Sequence, residues 1–287
     1  MSKSKLDLFS VINTIILSII GILCLLPFAH VLAKSISSKN AIIAGDISFL
    51  PKGFQIDTFK YVIFETGFAN SLLISVFITA VGTFCSLLFT VMAAYPLSKP
   101  DFKGRKLILL IYVFSMLFYG GIIPSYILMH SLGLINTVWS MIIPFLIVPF
   151  NLLVVKTFFE GLPESIVESA KIDGASNMRI LFSIILPISR PVLATIGLFI
   201  AVSYWNDFFH PLLFISKPSL KPLQLYLYDM VTSSGDQFWQ MGLEEMANIT
   251  IEGVKATTII AAVLPILFVY PFLQKHFEKG LTIGSVK

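Results

Sequence analysis

Residues 168–187 read E-S-A-K-I-D-G-A-S-N-M-R-I-L-F-S-I-I-L-P, and they lie between two strongly apolar stretches. Ahead of them stands Phe158-Phe159-Glu160-Gly161-Leu162-Pro163-Glu164. Pro163 suits the first turn of a helix, where its missing N–H is not needed. Glu164 and Glu168 then fall near the positive end of the helix dipole. Ile166 and Ala170 recur at i, i+4, as do Ser169 and Asp173, so the spacing predicts a short helix over 163–172 with one apolar and one polar stripe. Asp173-Gly174 is a turn signal, with Gly174 suited to a left-handed C-cap. Ser176 suits the N-cap of a second helix running through Ile180, Leu181, Ile184 and Ile185 toward Pro187. A glycine hinge lets two such helices fold tightly together, and Ala170, Gly174 and Ala175 are small enough for a partner surface to approach closely. The same pattern also fits an interfacial loop that caps its own bundle.

The surroundings decide what kind of chain carries this elbow. Of 287 residues, 56% are hydrophobic and only 13% charged, with a mean hydropathy of +0.88. A soluble domain carries roughly 25% charged residues, and this chain in water would expose large apolar patches. The bilayer is its natural solvent. The net charge of +4 gives no case for nucleic acid, because the lysines are scattered between apolar spans. Cys24 and Cys85 lie inside apolar runs and read as small buried hydrophobes. No CxxC or His/Cys ligand cluster exists, so no metal site is expected.

A helix needs about 20 apolar residues to cross the hydrocarbon core. Five long stretches qualify, and the third is long enough for two crossings joined by a turn at Gly133-Leu134-Ile135-Asn136. Six spans result, over about 8–33, 70–96, 107–129, 138–158, 190–213 and 255–274. The first follows Lys3 and Lys5 as in a signal peptide, but it exceeds the 7–15 residues of a secretory h-region and reads as a retained span. Backbone groups in lipid must be satisfied internally, so the fold is all-α and polytopic. Pro124, Pro144 and Pro149 are expected to kink the third and fourth spans or mark their ends. Lys99, Lys103, Arg105 and Lys106 crowd one short loop, which the positive-inside rule assigns to the cytoplasm together with the loop 159–189, the tail 275–287 and both termini.

Glu168, Ala170, Asp173, Gly174, Ala175, Leu186 and Pro187 together resemble the EAA loop of ABC-importer permeases, in the family's place between the fourth and fifth spans. Ser169 stands where the family usually has alanine. Pro163-Glu164, Ala93-Ala94-Tyr95-Pro96-Leu97-Ser98, Leu132-Gly133-Leu134-Ile135-Asn136-Thr137, Trp205-Asn206-Asp207-Phe208 and the tail from Gln274 are similar to segments of MalG-type carbohydrate importers, closest to the LplC-like branch. The resemblance implies a single permease domain over 1–287 with the type I importer (MetI-like) fold. It implies a MalF-like second permease, two ABC ATPase subunits that carry ATP and magnesium, an extracytoplasmic sugar-binding protein, and a carbohydrate, an oligosaccharide, as cargo. It makes Glu164, Glu168, Ala170, Asp173, Gly174, Ala175, Leu186 and Pro187 the ATPase-coupling residues. Gly280, Leu281, Thr282, Gly284 and Lys287 become a tail contact with the ATPase.

The chain has no G-x-x-x-x-G-K-[ST] phosphate loop. No Ser/His/Asp or Cys/His set is arguable, and the four histidines sit at span ends or in the tail. No enzyme activity and no cofactor are expected. Asp207 is the one acid set inside an otherwise charge-free span, and such residues face a bundle interior or a water cavity. Tyr204, Trp205, Asn206 and Asp207 therefore form a substrate-path candidate, since aromatic faces stack on sugar rings and amide or carboxylate groups bond hydroxyls. The alternative is an aromatic belt with Asp207 in a structural pair. Phe118 and Tyr119, beside Gly120 and Gly121, form a weaker candidate.

Overall fold

A computed structural model of the chain describes residues 8–118, 120–232 and 248–283, with backbone alone at Leu8 and over 269–283. Every regular element among the described residues is helical. The chain divides by packing into two units, one of residues 1–69 and 227–266, the other of 70–226 and 267–287.

In the first unit, α1 (Leu8–Ser35) is a 28-residue helix with apolar side chains exposed all round, the pattern of a helix whose solvent is lipid. Its end is fixed by small hydroxyls. Ser37 Oγ donates to the Ala33 carbonyl at 2.6 Å and accepts from Lys52 N at 3.1 Å. Two short helices follow, α2 (Lys39–Ile43) and α3 (Asp57–Phe64). The last helix, Ile251–Ile283, starts at Thr250, whose Oγ1 accepts from Gly253 N at 3.0 Å. Its buried Thr257 donates to the Ser35 carbonyl at 3.2 Å, and Lys34 pairs with Glu252. That helix continues past 274, so residues 275–283 extend it where a separate tail was expected.

The second unit is organised by α4 (Phe68–Leu97). Its inward face is small and hydroxylated, with Ser71, Ser75, Gly82, Ser86 and Thr90 all buried. α5 (Arg105–Leu117) and α6 (Ile122–Ser131) make up the third span expected over 107–129, broken ahead of Pro124, where a kink was expected. Gly121 explains the break, because its φ of +96° lies where side-chain-bearing residues are strained. The fourth span is likewise broken, into α7 (Trp139–Ile142), a 3₁₀ turn Ile143–Phe145, and α8 (Pro149–Glu160), with a 48° bend. Pro149, expected to kink the span or mark an end, opens α8 in its first turn.

That bend exposes two carbonyls inside the bundle. Pro149 has no N–H to return to Phe145, and Leu146 N turns to Ile143 at 3.2 Å instead of Ile142. Side chains fill both gaps. Ser86 Oγ donates to the Phe145 carbonyl at 2.9 Å, and Tyr204 Oη donates to the Ile142 carbonyl at 2.9 Å. The two hydroxyls also meet at 3.0 Å. Tyr204 comes from the long helix after the elbow, and its ring lies over Gly82, where a Cβ would stand 2.6 Å from Cζ.

Counting each bent pair as one span, the structure offers up to six crossings. The expectation of six thus holds by length and composition where three bent pairs, in the third, fourth and fifth spans, each count as one.

The Gly82 contact generates a prediction. Gly82→Ala should displace the Tyr204 ring and destabilise the detergent-solubilised protein by about 1–3 kcal/mol. Tyr204→Phe should cost about 1 kcal/mol or more through the carbonyl it strands. Because both changes disrupt one network, thermal melts of the double variant should show less than the sum.

Candidate functional site

The elbow folds much as its residues dictate. After α8 the chain turns at Gly161, and α9 (Glu164–Ile172) begins with Pro163 at its N-cap position. Gly174 adopts φ +77°, and its N–H bonds the Lys171 carbonyl at 3.0 Å while Ala175 N bonds that of Ala170 at 3.0 Å. This is the left-handed closure expected of Asp173-Gly174. Ser176 caps α10 (Asn177–Ile180) by accepting from Arg179 N at 3.4 Å. A π-helical turn, Leu181–Ile185, leads to α11 (Leu186–Ile188). A π-turn pairs each carbonyl five residues ahead, which offers Ser183 the N–H of Ile188 in place of the one Pro187 lacks. At the buried Ser189 the chain bends by 86° into α12 (Arg190–Asn206).

One stripe of the elbow is inside the unit. Val167, Ala170, Ile180, Leu181 and Ile185 are buried in one cluster with Tyr95, Val155 and Phe159. Ala170 is therefore small for the sake of this chain's own packing. The opposite face is open. Glu164, Glu168, Asp173 and Gly174 are exposed, and Ile172 and Met178 project with 86% and 57% of their surface free. Ala175 and Leu186 are half-buried, and Pro187 is exposed.

The turn after α4 lies against this elbow. Arg105 Nε donates to the Leu97 carbonyl at 2.9 Å, and its other arm pairs with Glu160 at the end of α8. Lys156 meets the same carboxylate at 2.8 Å. One acid thus fixes the exit of α4, the start of α5 and the entrance to the elbow. Between the turn and the elbow is a cleft of about 480 Å³, with Tyr95, Lys99, Asp101 and Phe102 on one wall and Glu164, Glu168, Lys171 and Met178 on the other. Burial, and then the Lys171 ammonium, push the Lys99 pKa down, with Glu164 opposing them. In the sequence Lys99 stands only as a topology signal and Tyr95 only as part of a family-like segment. Their place in this wall depends on the Arg105–Glu160 tie, 55 residues apart in the chain.

The other candidates separate. Tyr204 is 5% exposed with its hydroxyl committed to the bundle, so it has no face to offer a substrate. Asp207 lies in a break of the fifth span, between α12 and α13 (Phe209–Phe214), rather than inside a continuous helix over 190–213. Its Oδ1 accepts from His210 N at 3.3 Å and lies 3.1 Å from His210 Nδ1, and that ring meets Phe145 in a T-shaped contact with centroids 4.8 Å apart. Trp205 is half-buried with Nε1 unpartnered, and Asn206 is exposed. Phe118 is exposed and stacks on Phe114 at 4.3 Å, away from the 204–207 group in sequence. Tyr119, Gly284 and Lys287 lie outside the described residues, as do the side chains of Gly280, Leu281 and Thr282.

A helical elbow between two apolar spans, with one apolar stripe inward and its charges outward, is the arrangement on which a family comparison can be decided. Residues 71–283 match the family model described as binding-protein-dependent transport system inner membrane component. The chain belongs to that family. It is 45% identical to protein LplC of Bacillus subtilis (strain 168), covering 97% of this chain and 95% of that one. It is 39% identical to the polygalacturonan/rhamnogalacturonan transport system permease protein YtcP of the same organism, covering 99% of each. In three dimensions it is similar, with a TM-score of 0.88 at 32% identity, to a chain in the crystal structure of a bacterial ABC transporter importing the acidic polysaccharide alginate, over 96% of this chain and 99% of that one. Membership makes the protein a multi-pass component of the inner membrane with the permease fold anticipated from its motifs.

The elbow geometry generates a second prediction. Nothing lies within 4 Å of a Cβ at Gly174, so Gly174→Ala should suffer only backbone strain, about 1–2 kcal/mol. Gly174→Asn should cost less, because asparagine tolerates the left-handed region. Thermal melts of the purified variants check both the size and the order.

Proposed function

We propose that this chain is one of two permease subunits of an ATP-driven carbohydrate importer, and that the elbow at 164–189 is its coupling element. The observation that carries the reading is the exposed Ile172, Met178, Glu168 and Asp173 on a helix pair whose other face is locked into the spans. Such a pair converts a push from outside into movement of α4, α8 and α12 as a body. Family membership and the two polysaccharide-importing relatives support the transport reading and the sugar cargo.

The partners follow from that role. A second, MalF-like permease would complete the pathway, two ATPase subunits would dock on the elbows from the cytoplasm, and an extracytoplasmic binding protein would deliver an oligosaccharide. ATP and magnesium would be held by the ATPases, because this chain has no phosphate-binding loop. ATP would bind the closed ATPase pair better than the open one, and that difference would drive the exchange between inward-facing and outward-facing states. Both termini would lie in the cytoplasm, with the tail residues Gly280, Leu281, Thr282, Gly284 and Lys287 near the ATPases.

On the pathway itself, the exposed Asn206 is the group best able to meet a sugar, because the Trp205 indole nitrogen is buried. Asp207 serves first as the cap of α13.

In an assembled transporter reconstituted in liposomes, Ile172→Glu should abolish sugar uptake and release the ATPase on purification, while this chain still folds. The permease pair alone should show neither ATP hydrolysis nor uptake. Retention of full ATPase association and uptake by Ile172→Glu would remove the elbow from the coupling role. Asp207→Asn, which keeps a capping oxygen, should preserve uptake better than Asp207→Ala, and an equal loss in both would make the charge itself part of the pathway.

A further inference from the structure

The loop after α2 folds back along α1 instead of standing away from it. Residues 46–52 read D-I-S-F-L-P-K. Their base is fixed, with Asp46 N donating to the Ala41 carbonyl at 3.2 Å, Lys52 N to Ser37 Oγ at 3.1 Å, and Ser38 N to the Lys52 carbonyl at 3.0 Å. The Asp46 and Lys52 side chains meet across that base at 3.7 Å. Ile47 is buried with Ala33 and Ile42, and His30 Nδ1 donates to the Ser48 carbonyl at 2.6 Å. Phe49 and Leu50 are left projecting, 53% and 79% exposed. Between this tip and the helix runs an open groove of about 470 Å³, with Leu23, Leu26, Pro27 and His30 on one wall and Ile47 and Phe49 on the other. A crossing of about 20 residues begun at Leu8 ends at Pro27, so the α1 wall straddles the edge of the hydrocarbon core.

We infer that the 46–52 loop is a lipid anchor: Phe49 and Leu50 insert at the headgroup–acyl boundary beside α1, and the groove behind them seats one phospholipid acyl chain. The groove is continuous with the surface of α1, whose span has none of its residues buried by protein and whose solvent is lipid. Water at that level would meet two large apolar side chains with no protein over them, whereas acyl chains accept both. The loop backbone is prepared for such a place, because the His30 ring already satisfies the Ser48 carbonyl. Asp46 and Lys52 flank the apolar tip and reach back to the headgroups from its base. Nothing in this seat depends on the elbow.

Spin labels test the placement in the assembled transporter, reconstituted in liposomes of phosphatidylethanolamine and phosphatidylglycerol. In a Cys24→Ala/Cys85→Ala background, Leu50→Cys is labelled alongside two references, Leu25→Cys on the face of α1 opposite the groove and Asn40→Cys at the exposed start of α2. Oxygen should relax the label at position 50 and a water-soluble nickel chelate should not, as at position 25 and unlike position 40. Chelate access at position 50 equal to that at position 40 would put the loop in water, and exclusion of both reagents would put protein over it. Either result overturns the proposal. A phosphatidylcholine with a photoactivatable diazirine in its acyl chain, added to the same liposomes, tests the groove of the unsubstituted chain. Adducts mapped by mass spectrometry should fall on Leu26 or Phe49 in excess of Leu25. The Phe49→Ser/Leu50→Ser variant should lose the groove adducts and keep the one at Leu25, while Phe49→Leu/Leu50→Met should keep both. Equal labelling of the two faces of α1, or groove adducts that survive in the serine variant, would mean passing lipid only and overturn the seat.

Discussion

The second unit depends on two hydroxyls closing a broken helix. In a bilayer no water reaches the bundle interior, and an unbonded carbonyl there costs several kcal/mol. Pro149 and the 3₁₀ turn before it leave the carbonyls of Ile142 and Phe145 without helical partners. Tyr204 and Ser86 satisfy them, with their own oxygens in contact at 3.0 Å. Three spans are thereby joined at one buried point, and Gly82 is the clearance that lets the tyrosine reach it. The bend in the fourth span and the polar inward face of α4 belong to one solution.

This joint also explains why the elbow can act as a unit. α8 enters it, α12 leaves it, and the two helices pack against each other. The buried stripe of α9 and α10 extends the same cluster that holds Tyr204. At the other edge, Glu160 gathers Arg105 and Lys156, so the α4–α5 connection follows the entrance to the elbow. All three attachments are short and partly shielded from solvent, which favours movement of the ensemble over bending at any one link.

The parts legible in the sequence are those whose signals are local. Asp173-Gly174 and Ser176 declare a turn and a cap within four residues, and the structure forms both. Pro149 was read as a kink or an end of the fourth span, and it marks both the bend and the first turn of α8. Asn136 was read as turn-forming, and it does adopt φ +58°. Its further role was not readable. Its side-chain oxygen accepts from Ser216 N at 2.7 Å and Lys217 N at 3.0 Å, stapling the connection between the third and fourth spans to the segment after α13. That partner lies 80 residues away, beyond any local pattern.

The misreadings share one cause. Hydropathy measures whether a segment can cross a membrane and says nothing about whether it crosses unbroken. Residues 107–129 and 190–213 are apolar enough, yet the first breaks at Gly121 and the second at Asp207. In each, the residue singled out as chemically interesting was also the residue that changes the backbone. Asp207 looked like an acid stranded in a span because the span was assumed continuous. With the break in place, the carboxylate has a helix N-terminus and a histidine to bond. Tyr204 looked like a sugar contact because it sits beside Trp205. On a helix, adjacent residues point about 100° apart, so Tyr204 can turn inward to the Ile142 carbonyl while Asn206, two residues on, stays exposed. A motif read as one chemical cluster is thus divided by helical geometry into a structural half and an accessible half. Gly82 and Ser86, one turn apart on α4, are the complementary signal: a gap and a hydroxyl placed to receive an aromatic alcohol.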